Sequence, residues 1–449
     1  MDQKHIKLYV DDRPGEKIFR LHRDVYSDPA LFELEMKFVF ERTWNFLALE
    51  SQIAKPHDYV TTHIARTPVV VSRDAKGRIG AFINACRHKG ATVARLSQGN
   101  AKYHVCPYHG WAYDSSGKNV DIKDRAAGCY APAFDQENHD LLPIAKVASY
   151  KGMVFGSLSP DVLPLEDFLG DMRFFVDIVM DQGPDGMEFV PGHASYTFRG
   201  NWKLQMDNGQ DGYHLTSTHV SFMELQGRRR KGEGHVEARQ FDWKARARMR
   251  NGMFTFPYGH SALWLDQVEP EKRPFWPVVD EVRARIGELR TEWALKARNY
   301  QFFPNMQFND SVTTMLRVFR PLSVGLTEMN TYCLAPIGER PELRAWRLRQ
   351  FEDFFNPSGM ATPDDTVTYE DCQRGFAAAG QEIMQGFERG FAAPSYTKGA
   401  NDVALEIGIK PLESIVGTIE MQQEIAMQAP YREWARLMEA GLAGRKAYE

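Results

Sequence analysis

The chain has 449 residues, 43% hydrophobic and 25% charged, and its 55 Lys and Arg against 59 Asp and Glu leave a formal net charge of −4. This length supports a large core, divided among roughly three domains of ordinary size or one large and one small. The near-balanced charge gives no basis for nucleic acid or an anionic membrane as partner, and no uncharged apolar run is long enough to span a bilayer.

The first residues, "MDQKHIKLYVDDRPGEK", mix both charge signs and lack an apolar stretch, so they read as neither a secretory signal nor a transit peptide, and the expected location is cytoplasmic. In "SDPALFELEMKFVFERTW", Ser27 and Asp28 offer a cap, Pro29 suits the first turn and apolar residues recur to Trp44; 1–44 is expected as a helical segment. Short runs of β character follow ("DYVTTHI", "PVVVSRD", "IGAFINA", "KYHVCPYHGWAYD"), the last closed by "SSGK", and predict an all-β domain over 45–160. Over 161–449 the texture changes to helical stretches ("DEVRARIGELRTEWALKAR", "ELRAWRLRQFEDFFN", "YEDCQRGFAAAGQEIMQGFERG") grouped with strand candidates ("HASYTFRG", "TTMLRVFRPLSV", "EMNTYCLAPIG"). Grouped strands and helices predict α+β rather than an alternating parallel sheet. The basic, glycine-flanked "GRRRKGEGH" reads as a solvated loop.

Chemistry concentrates in two places. Five scattered cysteines are too few for a disulfide framework, and in a reducing compartment their thiolates stay free for metal. Cys86 and Cys106 alone sit beside histidines, as Cys86-x-His88 and Cys106-x2-His109. A zinc finger pairs Cys with Cys and His with His along the sequence, so the mixed order speaks against it. A Rieske [2Fe–2S] centre needs two thiolates on one iron and two imidazoles on the other, which two loops each offering one of each kind supply. Cys86 and Cys106 would hold the inner iron, His88 and His109 the outer. Gly90 and Gly110 would let backbone approach, Arg87 and Lys89 offset negative charge, and Trp111 shields the centre; His104 falls outside the spacing and reads as an ordinary strand histidine.

The second place is "GNWKLQMDNGQDGYHLTSTH". Asp211 and His214, three apart, share a helix face. His214 and His219, five apart, lie about 140° around an ideal helix, so both reach one metal only if the helix loosens near Thr216 to Thr218. Two imidazoles and a carboxylate form the facial triad of non-heme Fe(II) oxygenases. Asp364 or Asp365, after Pro363 at a predicted helix start, could supply the carboxylate, although such a pair also serves as an ordinary helix cap. Arg246, Arg248 and Arg250 are candidates to meet an anionic substrate, with surface charge the better reading for each.

Through "CRHKG", "CPYHGW", "GNWKL", "DNGQDGYH", "RQFEDFFNPSGMATPDD" and "EIGIKP" the chain resembles, over nearly its whole length, the large (α) subunits of Rieske non-heme iron ring-hydroxylating oxygenases of the benzoate/anthranilate 1,2-dioxygenase type. The resemblance implies a Rieske β domain, a helix-grip catalytic domain on which residues 1–44 pack, and a mononuclear iron held by His214, His219 and Asp365, the second acid of its pair. It implies that Asp211 links a Rieske histidine to a histidine of the iron site in a neighbouring subunit, within a homotrimer or an α3β3 assembly with a small β subunit. It further implies an NADH-dependent flavin/iron–sulfur reductase, O2 and an aromatic carboxylate as partners, with a Rieske monooxygenase (hydroxylase or demethylase) as the alternative. Asp207-Asn208 stands where the family commonly has Glu-Asn, which shortens a side chain near the site.

Overall fold

The structure, a computed structural model, describes residues 3–232, 248–267, 269–311, 313–378 and 384–448. The chain folds into two compact units, one of Phe40–Leu165 and the other of Met1–Val39 with Glu166–Glu449.

The Phe40–Leu165 unit is built of antiparallel strands. Ile79–Ile83, Thr67–Arg73, Asp58–Ile64 and Gln98–Asn100 form a four-stranded sheet in that order, and Lys146–Tyr150, Met153–Ser157 and Asn45–Leu49 form a three-stranded one. Side chains alternate between faces along a strand. Val69 and Val71 accordingly join Leu47, Val60 and Val154 in one core, while Val70 packs with Tyr59 and Ala94 on the other side. The predicted strand "KYHVCPYHGWAYD" is instead two arms of a hairpin, Tyr103–Val105 and Ala112–Asp114, paired at Val105 and Ala112. The turn chemistry of "CPYHGW" wins over its β character and leaves a loop at the tip.

The other unit centres on a ten-stranded antiparallel sheet. Its order is Met187–Phe189, Leu326–Pro336, Met315–Ser323, Met306–Asn309, Ala297–Phe302, Ser261–Leu265, Asn251–Thr255, Glu413–Gly417 and Tyr396–Lys398, with Ala194–Phe198 also paired to Leu326–Pro336. Helices flank it, so the chain is α+β. The long helix predicted from "DEVRARIGELRTEWALKAR" is two, Val279–Ile286 and Glu288–Leu295, because Gly287 takes a left-handed φ of 84°. The helix predicted around "YEDCQRG" begins earlier, at Thr362, and ends at Phe376; residues 379–383 of that prediction lie outside the described residues.

The amino-terminal expectation needs correcting. Asp28 does cap a helix, Pro29–Glu35, accepting from the backbone N–H of Ala30 at 2.6 Å and Leu31 at 3.3 Å. The segment is not helical throughout, however. Val10–Arg13 and Ile18–His22 form a hairpin around Pro14–Gly15, extended by Met384–Gly386.

Glu35, at the end of that helix, is fully buried. Its Oε1 accepts from Lys203 Nζ at 2.5 Å and Trp434 Nε1 at 2.8 Å, and its Oε2 from Trp202 Nε1 at 3.0 Å. One carboxylate thereby joins the amino-terminal segment, the helix Trp202–Asn208 and the carboxy-terminal helix Ile425–Leu442. Removing one partner of a buried ion pair strands the other charge. Glu35→Ala should therefore cost about 3–5 kcal/mol, read as a lower denaturant midpoint; an unchanged midpoint would show that the node carries no stability.

Candidate functional site

The loops Cys86–Ala91 and Cys106–Trp111 are two copies of one turn. In the first, Cys86 N donates to Ala91 O at 2.8 Å and Gly90 N to Cys86 O at 2.9 Å. In the second, Cys106 N donates to Trp111 O at 2.8 Å and Gly110 N to Cys106 O at 3.0 Å. Gly90 and Gly110 close the turns at φ of 77° and 76°, a conformation costly for any residue with a Cβ. Cys86 and Cys106 are 4% and 3% exposed, in a cluster with Val93, Trp111 and Tyr113, whereas His88 is half-buried and His109 exposed.

The histidine rings lie 4.4 Å apart, and His88 stacks flat on Trp111 at 5.0 Å. Burial first, then the charges of His109 and Lys89, hold His88 below the usual histidine range, so its imidazole is in the neutral form that binds metal. Its Nδ1 is buried without a hydrogen-bond partner. Tyr113 hydroxyl sits 3.3 Å from Cys86 Sγ, placed to donate to a thiolate. Buried sulfurs, outward imidazoles and an orphaned ring nitrogen fit a diiron cluster with histidines on its outer iron. His104, on the strand that leads into the second loop, is buried edge-on against Tyr59 at 4.8 Å.

The second constellation grows from helix Trp202–Asn208, capped by Asn201, whose side chain accepts from Lys203 N at 3.1 Å. Past Asn208 the chain leaves the helix. A single turn, Leu215–Thr218, follows, and His219 at φ −103°, ψ 33° separates it from Val220–Arg230. The loosening that two histidines five apart require thus falls at His219 itself. Asp211 and His214 do not share a helix face, contrary to the sequence expectation: Asp211 precedes the turn, takes the Tyr213 N–H on Oδ1, and places Oδ2 3.2 Å from His214 Nδ1.

Helix Thr362–Phe376 brings Asp365 in from its first turn. Asp365 Oδ1 lies 3.2 Å from His219 Nε2 and 3.7 Å from His214 Nε2, and one ligand atom from each of the three residues lies within 4.8 Å of the others. Asp364 stays outside this group, partly exposed, with Oδ2 3.6 Å from His219 Nδ1. Burial pushes the Asp365 carboxyl up, but the hydrogen bond and charge of His219, then His214 and Arg317, carry it below the usual carboxylate range. Burial likewise opposes protonation of His214, and Asp211 and Asp365 outweigh it. Two imidazoles and an ionised carboxylate on one side, with a cavity beside them, fit a mononuclear Fe(II) with open positions.

The sequence places Asp207 and Asn208 near the site but gives neither a contact. Asn208 Nδ2 lies 3.1 Å from Asp365 Oδ1 and 3.2 Å from His214 Nε2, spanning two of the three residues. Behind it, Asp207 is buried with Tyr26 and Tyr431, both hydroxyls 2.8 Å from its carboxylate and 2.6 Å from each other. Burial lifts Asp207 to about 7 although both tyrosines donate to it.

Residues 188–440 match the family model for the ring hydroxylating alpha subunit (catalytic domain), and 43–148 match that for the Rieske [2Fe-2S] domain. Toluate 1,2-dioxygenase subunit alpha from Pseudomonas putida is 40% identical, covering 97% of each chain. Anthranilate 1,2-dioxygenase large subunit from Acinetobacter baylyi is 38% identical over 98% of this chain and 94% of its own. The solved structure of naphthalene 1,2-dioxygenase from Rhodococcus sp. bound to indole superposes with a TM-score of 0.80 at 25% identity, covering 98% of each chain. The chain belongs to the ring-hydroxylating oxygenase α subunits.

This α subunit is an oxidoreductase that incorporates O2, with a Rieske [2Fe–2S] cluster and a mononuclear non-heme iron as cofactors. Members of the family act with a reductase and often with a β subunit, in multimers. No described helix is long and apolar enough to cross a membrane. Arg248 and Arg250 are exposed, and Arg246, like residues 233–235 of the basic stretch, lies outside the described residues.

In the α subunit, His219→Ala should retain the visible absorption of the cluster and lose mononuclear iron, and Cys106→Ala should lose the colour; metal analysis with an absorption spectrum checks both. Asp207 gives a pH test. Its folded value lies above the usual carboxylate range, so the folded state holds a proton the unfolded chain has released, and stability falls as pH rises toward about 7. Asp207→Asn should remove a slope of about 1.4 kcal/mol for each pH unit in that window, seen as a wild-type-minus-variant difference in unfolding free energy that changes with pH.

Proposed function

We propose that the chain is the terminal oxygenase component of a multicomponent aromatic-ring dioxygenase, converting an aromatic carboxylate to its cis-dihydrodiol with O2 and electrons from NADH. The observation that carries this reading is the convergence of His214, His219 and Asp365 on the wall of a cavity whose apolar lining includes Leu263, Leu265, Phe354 and Phe355. The relatives named for toluate, 2-halobenzoate and anthranilate support the carboxylate class. Arene, O2, NADH and one proton balance as dihydrodiol and NAD+, with no water formed.

When bound, the cluster supplies one-electron transfer and the iron supplies O2 activation. The residues do the rest. We assign Cys86, His88, Cys106 and His109 to the cluster and His214, His219 and Asp365 to the iron. Asp211 accepts the Nδ1–H of His214, which fixes the ring's tautomer and leaves Nε2 for metal. The same carboxylate is our choice for the link to a Rieske histidine of a neighbouring α subunit, in a homotrimer or an α3β3 assembly. Leucine and phenylalanine walls keep water from the reacting face and hold the ring by its apolar surface. A separate flavin/iron–sulfur reductase would supply the electrons, in the cytoplasm, to the cluster that Cys86, His88, Cys106 and His109 would hold.

With 18O2, both label atoms should appear in the product; a single labelled oxygen would establish a monooxygenase instead. Asp211→Asn should keep both metals and a reducible cluster yet lower turnover by about 10- to 100-fold, an order typical for groups that orient a metal ligand. Wild-type turnover in that variant would remove Asp211 from the pathway.

A further inference from the structure

The cavity beside His214, His219 and Asp365 is lined by a cation that has no ion-pair partner among the described residues. Arg317 lines it and is only 4% exposed. Among the described residues the side chain of Arg317 makes no ion pair and no hydrogen bond, and its Nε is buried without a partner. Its guanidinium lies 5.4 Å from the ring of Phe355, another residue of the same wall. A buried guanidinium without a carboxylate is costly, and a protein that keeps one keeps a site for an anion.

Strand register shows which way Arg317 faces. It pairs with Gln307, which pairs with Gln301; one step of two residues along, Asn309 pairs with Asn299, and Asn299 with Leu263. Side chains two apart share a face, so Arg317, Asn299 and Leu263 project to the same side, and all three line the cavity. Arg298, the other arginine on the cavity wall, is one residue from Asn299 and belongs to the opposite face, where it pairs with Asp310 alongside Arg273. Its charge is already engaged. The cross-strand neighbours of Arg317 are engaged too: Gln307 donates to Gln205 O at 3.3 Å and Met206 O at 3.0 Å, and Thr331 to Ala194 O at 3.2 Å. Asp365, the acidic residue whose field reaches Arg317, is taken up by His219 and Asn208.

We infer that Arg317 is the specificity-determining residue of this site and receives the carboxylate of the aromatic acid, through the planar two-pronged contact that guanidinium makes with carboxylate. This rests on the aromatic-carboxylate reading above. The acid's charge meets Arg317 while its ring lies among Leu263, Leu265 and Phe354 with one edge toward His214, His219 and Asp365. Asn299, whose Oδ1 is buried without a partner on the same face, can accept from a hydroxyl or amino substituent on that ring.

The test is steady-state O2 uptake by the reductase-coupled holoenzyme on benzoate and its methyl, halo and amino derivatives, each beside the neutral amide of the same acid. Wild type should prefer acid to amide. In Arg317→Gln, kcat/KM for the acids should fall by about 100-fold or more, as for loss of one partner of a buried charge pair, mostly through KM, while the amides change by less than about threefold and iron content and cluster colour stay the same. Arg317→Lys should recover part of the loss. Equal loss on acids and amides with both metals in place, or full activity of Arg317→Gln on an acid, overturns the inference and leaves the carboxylate reading standing. If Arg317→Gln does not fold, wild-type binding decides, since equal affinity for acid and amide also overturns it. A wild type that oxidises neutral arenes but none of the acids overturns the carboxylate reading itself.

Discussion

The arrangement of the larger unit depends on one buried carboxylate. Glu35 accepts hydrogen bonds from Lys203, Trp202 and Trp434, so the first turn of helix Trp202–Asn208 is held from two directions by distant parts of the chain. That helix has only seven residues, too short to keep its place by its own backbone bonds. Everything beyond it follows from where it ends: Asp207 lodged between Tyr26 and Tyr431, Asn208 against His214 and Asp365, and the non-helical step that turns His214 and His219 toward one point. The ionic node lies behind the reactive side chains and positions them, which is how a flexible-looking stretch such as "DNGQDGYH" holds a fixed geometry.

Electrostatics divides labour between the two centres. Around Cys86 and Cys106 the surroundings are apolar, with a tyrosine hydroxyl at one sulfur, and the neighbouring Arg87 and Lys89 are exposed. Around His214, His219 and Asp365 the charges are buried and interlocked: Asp211 behind one imidazole, Asn208 between ligands, Arg317 within the field of the carboxylate. The two carboxylates, Asp211 and Asp365, would take up a metal cation and Arg317 an anion from the cavity side, without a large net charge remaining inside.

Legibility in the sequence followed distance along the chain. The paired loops were readable because each is a local turn whose residue types and spacing are set within six residues, and the strands "HASYTFRG", "TTMLRVFRPLSV" and "EMNTYCLAPIG" were readable from β character alone. Asp365 was not separable from Asp364 by spacing; only the helix phase of Thr362–Phe376, fixed by packing, directs one inward. The helix assigned to Asp211 and His214 ignored a signal that was present, since glycines at 209 and 212 favour a turn and Asp211 accepts its own turn's N–H. The amino-terminal hairpin had a signal as well, the Pro-Gly between "YVDDR" and "KIFRLH". Arg317 had none: an arginine inside an alternating strand reads as solvent-facing unless the cover over that face is known.

The likeness of the two turns at Cys86–Ala91 and Cys106–Trp111 has a consequence for assembly. Each turn offers one sulfur and one nitrogen, so on the proposed assignment neither turn would supply the complete ligand pair of either metal atom. On the proposed assignment both turns would be needed for either iron, so the hairpin that presents the second turn would have to be in register before a cluster could be held.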